Sequence, residues 1–148
     1  MEPIEDCFIF LFSKAYQRVS QITKRRLTRY GVTPVQYIVL RALWESDGQS
    51  GAALGERLML DSATLTGVID RLEHAGLLQR LPDGQDRRIH RVALTEKGRA
   101  LQEPVQREVD KLNRFFCAGF SAEEETQVKA LLLKMMRLEE DAFSRLSE

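Results

Sequence analysis

The stretch that most constrains this chain is residues 77–94, LLQRLPDGQDRRIHRVAL. Leu77–Leu81 and Ile89–Leu94 read as two strands, and the loop between them, PDGQDRR, carries the turn chemistry of a hairpin. Everything around this hairpin is helical in pattern, with apolar residues recurring at steps of three and four. On that spacing a long helix covers residues 4–30 and ends at Gly31. Thr33 and Pro34, as cap and first helical residue, open a second helix that runs to about Ser46. Gln49 and Ser50 lead into a short helix reaching Leu58, and Met59-Leu60 makes a tight connection. A further helix, capped by Asp61 or Ser62, carries the apolar stripe Leu65, Val68, Ile69 and Leu72 and ends at Gly76. After the hairpin, Thr95 caps a helix predicted to reach Gly119. Ser121, with Glu124 three residues on, opens the last helix, AEEETQVKALLLKMMRLEEDAFSRL. The expected fold class is mainly α with a small β-hairpin.

The totals narrow the class of protein. An apolar content of 43% over 148 residues supports a packed core. No apolar run approaches the roughly 20 residues of a membrane span, and the acidic MEPIED start is unlike a secretory signal. A cytoplasmic protein with no membrane partner is the expectation. Two cysteines far apart and two histidines offer no disulfide framework, no zinc spacing and no metal site. No cofactor is expected. Net charge is zero, but it is unevenly spread. Residues 1–50 carry seven Lys/Arg against five Asp/Glu, residues 51–99 eight against seven, and residues 100–148 seven against ten. A neutral total is compatible with nucleic-acid binding, because the local field decides.

Two helices joined by a short turn and followed by a hairpin form a winged helix-turn-helix. A helix fits the major groove of B-DNA, and an arginine on a loop fits the minor groove. Ser62, Thr64 and Thr66 cluster at the start of the second of those helices, where small hydroxyl side chains can approach base edges. Arg71 follows about one turn later, placed for a phosphate or for solvent. The adjacent Arg87 and Arg88, beside Asp86 on the hairpin loop, are the natural candidates for contact with a polyanion.

These residues carry a family resemblance. The segments GVTPVQYIVLRAL and LGERLMLDSATLTGVIDRLEHAGLLQRLPDGQDRRIHRVALTEKGRAL resemble the MarR family of bacterial transcription regulators. So does the wing pattern of Asp83, Asp86, Arg87, Arg88, Leu94, Thr95 and Gly98. The resemblance implies a single MarR-like domain over 1–148, with the winged helix-turn-helix at 48–98 and dimerisation helices at 1–32 and 99–148. It implies a homodimer on a pseudo-palindromic double-stranded DNA operator, acting as a repressor. By the same analogy Arg87 enters the minor groove while Asp86 pairs with Arg88 to support the wing, although the two arginines can exchange roles.

The outer helices raise the question of a trigger. Leu131, Leu132, Met135, Leu138 and Phe143 look like a partner-facing seam. Family members commonly release DNA when a small aromatic or carboxylate-bearing effector binds beside the reader. Phe8, Phe12 and Tyr16 on the first helix, with Tyr37, Arg41 and Trp44 on the second, are the candidate ligand residues. Arg41 stands in the apolar run VQYIVLRALW and needs an anion, which a ligand carboxylate, a protein carboxylate or an escape to water would provide. The alternative trigger is redox. Cys7 and Cys117 resemble the paired cysteines of the family's organic-hydroperoxide sensors, although Thr23 and Pro34 stand where those sensors have supporting tyrosines. The alternative for both is burial as core side chains.

Two other classes fit the residues less well. An enzyme is disfavoured: there is no Ser-His-Asp order, no Gly-rich phosphate loop and no HExxH, so no catalytic residue is assigned. A winged-helix protein-interaction module without DNA binding is opposed by the wing arginines and the hydroxyl cluster.

Overall fold

The computed structural model describes residues 3–139. A 3₁₀ turn at Ile4–Asp6 precedes α1 (Phe8–Leu27), and a second 3₁₀ turn follows at Thr28–Tyr30. Then come α2 (Pro34–Glu45), β1 (Gln49–Ser50), α3 (Gly51–Leu58), α4 (Ser62–His74), β2 (Leu78–Pro82), β3 (His90–Leu94), α5 (Glu96–Ala100), α6 (Gln102–Phe116) and α7 (Ala122–Met136). The fold is mainly helical with one small antiparallel sheet, ordered β1-β3-β2. Leu78 faces Leu94 and Pro82 faces His90 across the hairpin, while Gln49 pairs with Val92 on the other edge of β3. Among the described residues no helix is long and apolar enough to cross a membrane. α7 ends at Met136, with Arg137 as its C-cap, short of the expected end near Leu146, which like Phe143 lies outside the described residues.

Local chemistry sets most boundaries. Thr33 and Gln36 close a reciprocal capping box at the start of α2, with Pro34 in the first turn. Ser121 and Glu124 do the same for α7. Asp61, rather than Ser62, caps α4: its carboxylate accepts the Thr64 N–H at 2.8 Å and the Thr64 hydroxyl at 2.6 Å. α4 ends in a Schellman closure. Gly76 lies at φ +73°, the Leu77 N–H reaches the Leu72 carbonyl, and the Gly76 N–H reaches that of Glu73.

The structure departs from the sequence reading at three further places. The expected 4–30 helix is interrupted, because Cys7 is extended at φ −69°, ψ 119°, and α1 starts only after it. Near its other end, Thr28 donates its hydroxyl to the Lys24 carbonyl and the chain tightens to 3₁₀. The expected helix from Thr95 to Gly119 is two helices, broken at Leu101. Pro104 lacks an N–H to return to Ala100, and its ring crowds that carbonyl. Finally, Gln49 and Ser50 form a strand and not a plain connection. Two residues are too few to show a period of two.

The described residues form two compact units, dividing between Lys111 and Leu112. The reason lies in the core of the first. Leu27, Val39, Leu40, Leu43, Leu54, Val68, Leu72 and Leu78 are fully or nearly fully buried there, and Val105 and Val109 of α6 join the same cluster. Each such side chain contributes about 1.5–3 kcal/mol through removal from water. Glu108, on the same helix, is buried and pairs with Arg26 of α1, while the Tyr30 hydroxyl donates to it at 3.5 Å.

A close backbone approach joins the ends of the reader. The Thr95 N–H donates to the Leu77 carbonyl, the Thr95 hydroxyl to Gly76, and the Trp44 indole to the Gly98 carbonyl at 3.0 Å. A Cβ on Gly98 would stand 2.1 Å from the Leu77 carbonyl oxygen, which is backbone and cannot swing aside. Gly98→Ala is therefore expected to destabilise the protein by about 1–3 kcal/mol, read as a lower Tm by calorimetry. A second expectation concerns pH. Hydrogen bonding from Arg26 holds the Glu108 carboxyl below its ordinary range. Its contribution is thus full above the unfolded value of about 4.3 and is lost as pH falls through the lower folded value. Glu108→Gln should melt below wild type at pH 7, and the gap should close below about pH 4.

Candidate nucleic-acid interface

The apolar stripe of α4 is buried, so its opposite face is presented outward. Ser62, Thr64, Thr66, Asp70 and Arg71 all lie on that exposed surface. The structure divides the hydroxyl cluster. The Thr64 hydroxyl is committed to Asp61, whereas Ser62 and Thr66 make no side-chain hydrogen bond among the described residues. Those two line a half-open groove of about 400 Å³ between α3 and α4, whose other walls include Gly51, Ala52 and Gly55. The missing side chains on α3 are what open it. Arg71 lies along α4 over Gly67.

The wing is organised by a residue to which the sequence reading gave no role. Asp83, only 8% exposed, sits at the root of the loop. One of its oxygens accepts the N–H groups of Gln85 (2.8 Å) and Asp86 (3.1 Å), and the other takes the Arg91 guanidinium. These backbone donors, followed by Arg91, hold its carboxyl below the usual range. An aspartate just before a glycine in a turn is the local signal for such a bond to the chain two residues on. Arg91 in turn reaches the Gly48 carbonyl at 2.9 Å, tying the loop to the start of β1. Asp47, next to it, accepts from the N–H groups of Gly48 and Leu94 and pairs with Arg99.

Further out, Asp86 is chelated by Arg88. It accepts the Arg88 N–H, Nε and Nη2 at 3.0, 3.1 and 3.0 Å, and these bonds lower its carboxyl pKa. Arg88 remains 91% exposed despite this pairing. Arg87 is exposed and has no hydrogen-bond or ion-pair partner among the described residues. A further arginine, Arg80 on β2, pairs with both Asp70 and Glu73 of α4, and its N–H also donates to Glu73 at 3.2 Å. The sequence reading passed over Arg80, because a lone arginine in a strand carries no signature of its partners.

The candidate effector residues are not gathered into one aromatic cluster. Phe8 and Phe12 stack on each other at 6.2 Å and are exposed, as is Tyr16. Tyr37 and Trp44 form a separate tilted pair at 6.3 Å, both half-buried, and burial raises the Tyr37 pKa. Arg41 is only partly buried. It is 41% exposed, pairs with Glu45 one turn on, and donates to Gln106 at 2.6 Å. Cys7 and Cys117 are free and half-buried, one capping α1 and the other following α6. Among the described residues no three His, Cys, Asp or Glu side chains group to hold a metal ion.

Residues 32–90, which span α2 to the start of β3, match the MarR family. The chain is 34% identical over 135 residues to the HTH-type transcriptional repressor NicR of Pseudomonas putida, covering 89% of this chain and 84% of the relative. The structure is similar to that of BpsR from Bordetella bronchiseptica, solved in a study of how 6-hydroxynicotinic acid regulates its DNA binding. The TM-score is 0.86 at 29% identity, over 94% of this chain and 99% of that one. It is also similar to S. aureus MepR in complex with DNA, with a TM-score of 0.81 at 26% identity over 88% and 96% of the two chains. With a two-helix reader, a pinned wing and relatives matched along nearly its whole length, this chain belongs to the MarR family of winged-helix transcriptional regulators.

Proposed function

We propose that this protein is a sequence-specific DNA-binding regulator that acts as a homodimer on a pseudo-palindromic operator. The observation that carries the reading is the wing. Its root is pinned by the buried Asp83, its neighbour Arg88 is held by Asp86, and Arg87 projects without a partner among the described residues. An ordered loop presenting one uncommitted guanidinium suits the narrow, electronegative minor groove. Ser62 and Thr66 then meet base edges in the major groove, with Arg71 and Arg88 near phosphates. MepR, of the same fold, was solved on DNA.

The dimer is supported by apolar surface left uncovered in one chain. Phe8, Ile9, Leu11, Phe12, Tyr16 and Val19 of α1 are exposed, as are Leu131, Leu132, Leu133 and Met136 of α7. Contiguous apolar faces of this kind mark interaction surfaces. A second copy that covers them also supplies the second reader a two-fold operator needs. The action is repression, relieved by a small aromatic acid. NicR is a named repressor, and BpsR responds to 6-hydroxynicotinic acid.

Fluorescence anisotropy against the DNA upstream of the protein's own gene tests the reading. Arg87→Ala should weaken operator binding by about 1–3 kcal/mol, and an unchanged affinity would remove the wing from the interface. Adding 6-hydroxynicotinic acid or a related aromatic acid should release the wild-type protein. Arg41→Ala should raise the concentration required by about tenfold, the worth of one charge-assisted bond to a carboxylate. An unshifted midpoint would assign Arg41 to Glu45 and Gln106 alone.

A further inference from the structure

The geometry points to Arg80 as a positioning residue that sets the angle between α4 and the wing, and through it the preference for operator over unrelated DNA. The inference rests on the DNA-binding reading above and deepens it. Asp70 and Glu73 stand three residues apart, on one face of the C-terminal half of α4. One guanidinium serves both: Nη2 bonds Asp70, Nη1 bonds Glu73, and the Arg80 N–H adds a further bond to Glu73. Arg80 lies in β2, two residues before the strand's last residue, Pro82, gives way to the loop at Asp83. The strand that carries the wing is therefore tied by directed bonds to the helix that reads bases.

The directed bonds supply something the core does not. Leu65, Val68, Ile69 and Leu72 keep α4 attached to its neighbours, but apolar contact is non-directional and tolerates a small roll. A planar fork that grips two carboxylates and a strand N–H resists that roll. Two-groove reading needs such resistance, since the second contact gains only when the geometry lets both engage together. Arg80 is 29% exposed and its fork is already occupied, so it is unsuited to holding a phosphate. Without Arg80, Asp70 and Glu73 are left as two like charges one turn apart, and α4 loses its registration against β2.

The test compares Arg80→Gln, Arg80→Lys and the double variant Asp70→Asn/Glu73→Gln with wild type. Each is titrated with the upstream operator duplex and with an unrelated duplex of equal length, across a series of salt concentrations. Arg80→Gln is expected to weaken operator binding about tenfold, while affinity for the unrelated duplex and its salt slope stay as in wild type. Arg80→Lys, which can satisfy one carboxylate at a time, should fall between. The double variant keeps the arginine and removes its anchors, so it should match Arg80→Gln and gives the reading if that variant fails to fold. A parallel loss on both duplexes with a shallower salt slope would make Arg80 a phosphate ligand and overturn the proposal. Unchanged discrimination in both Arg80→Gln and the double variant would also overturn it. A wild-type protein that binds neither duplex would instead overturn the DNA-binding reading itself.

Discussion

The close approach of Gly98 to the Leu77 carbonyl is the constraint on which the reader depends. At this one place the end of α4, the start of β2, the end of β3 and the start of α5 meet. No side chain fits between them, and Thr95 uses both its N–H and its hydroxyl to hold the junction. Because the hairpin leaves and returns here, its direction relative to α4 is set at its base. Trp44 adds a bond from α2 to the Gly98 carbonyl, so the junction is also fastened to the core.

From that base outward, order passes from apolar packing to charge. Leu78, Val92 and Leu94 bury the lower part of the hairpin. Above them Arg80 and Arg91 take over, one tied to α4 and the other to the wing loop and to β1. Exposed ion pairs contribute little to stability one at a time. Their use here is direction: each fixes an angle that apolar contact leaves soft. Asp83 and Asp86 complete the series by turning the loop's own carboxylates inward on local donors, which leaves Arg87 uncommitted. This also explains how a chain of net zero charge can present a cationic tip, since nearby acids are spent on specific partners.

The outer helices follow a different logic. α1 and α7 keep large apolar residues on the outside, a cost a solitary chain has no reason to bear. The dimer proposed above would cover both faces. It also relocates the question of the effector: Phe8, Phe12 and Tyr16 lie on the same exposed face, apart from the Tyr37–Trp44 pair.

Much of the fold was legible in the sequence because it is specified locally. Thr33-Pro34, Asp61, Gly76, Thr95 and Ser121 mark element ends through bonds that span three to five residues, and the 3.6-residue apolar period marks the helices between. The hairpin and its arginines were legible for the same reason, as turn chemistry between two short runs. What the tertiary structure decided involves partners far apart in the chain. β1 exists only because β3 offers it an edge 43 residues later. Arg41 found Gln106, Arg26 found Glu108 and Asp47 found Arg99, pairings with no spacing to announce them. Arg80 and Asp83 belong here too: the sequence determined that the wing exists, and side-chain geometry decided what aims it.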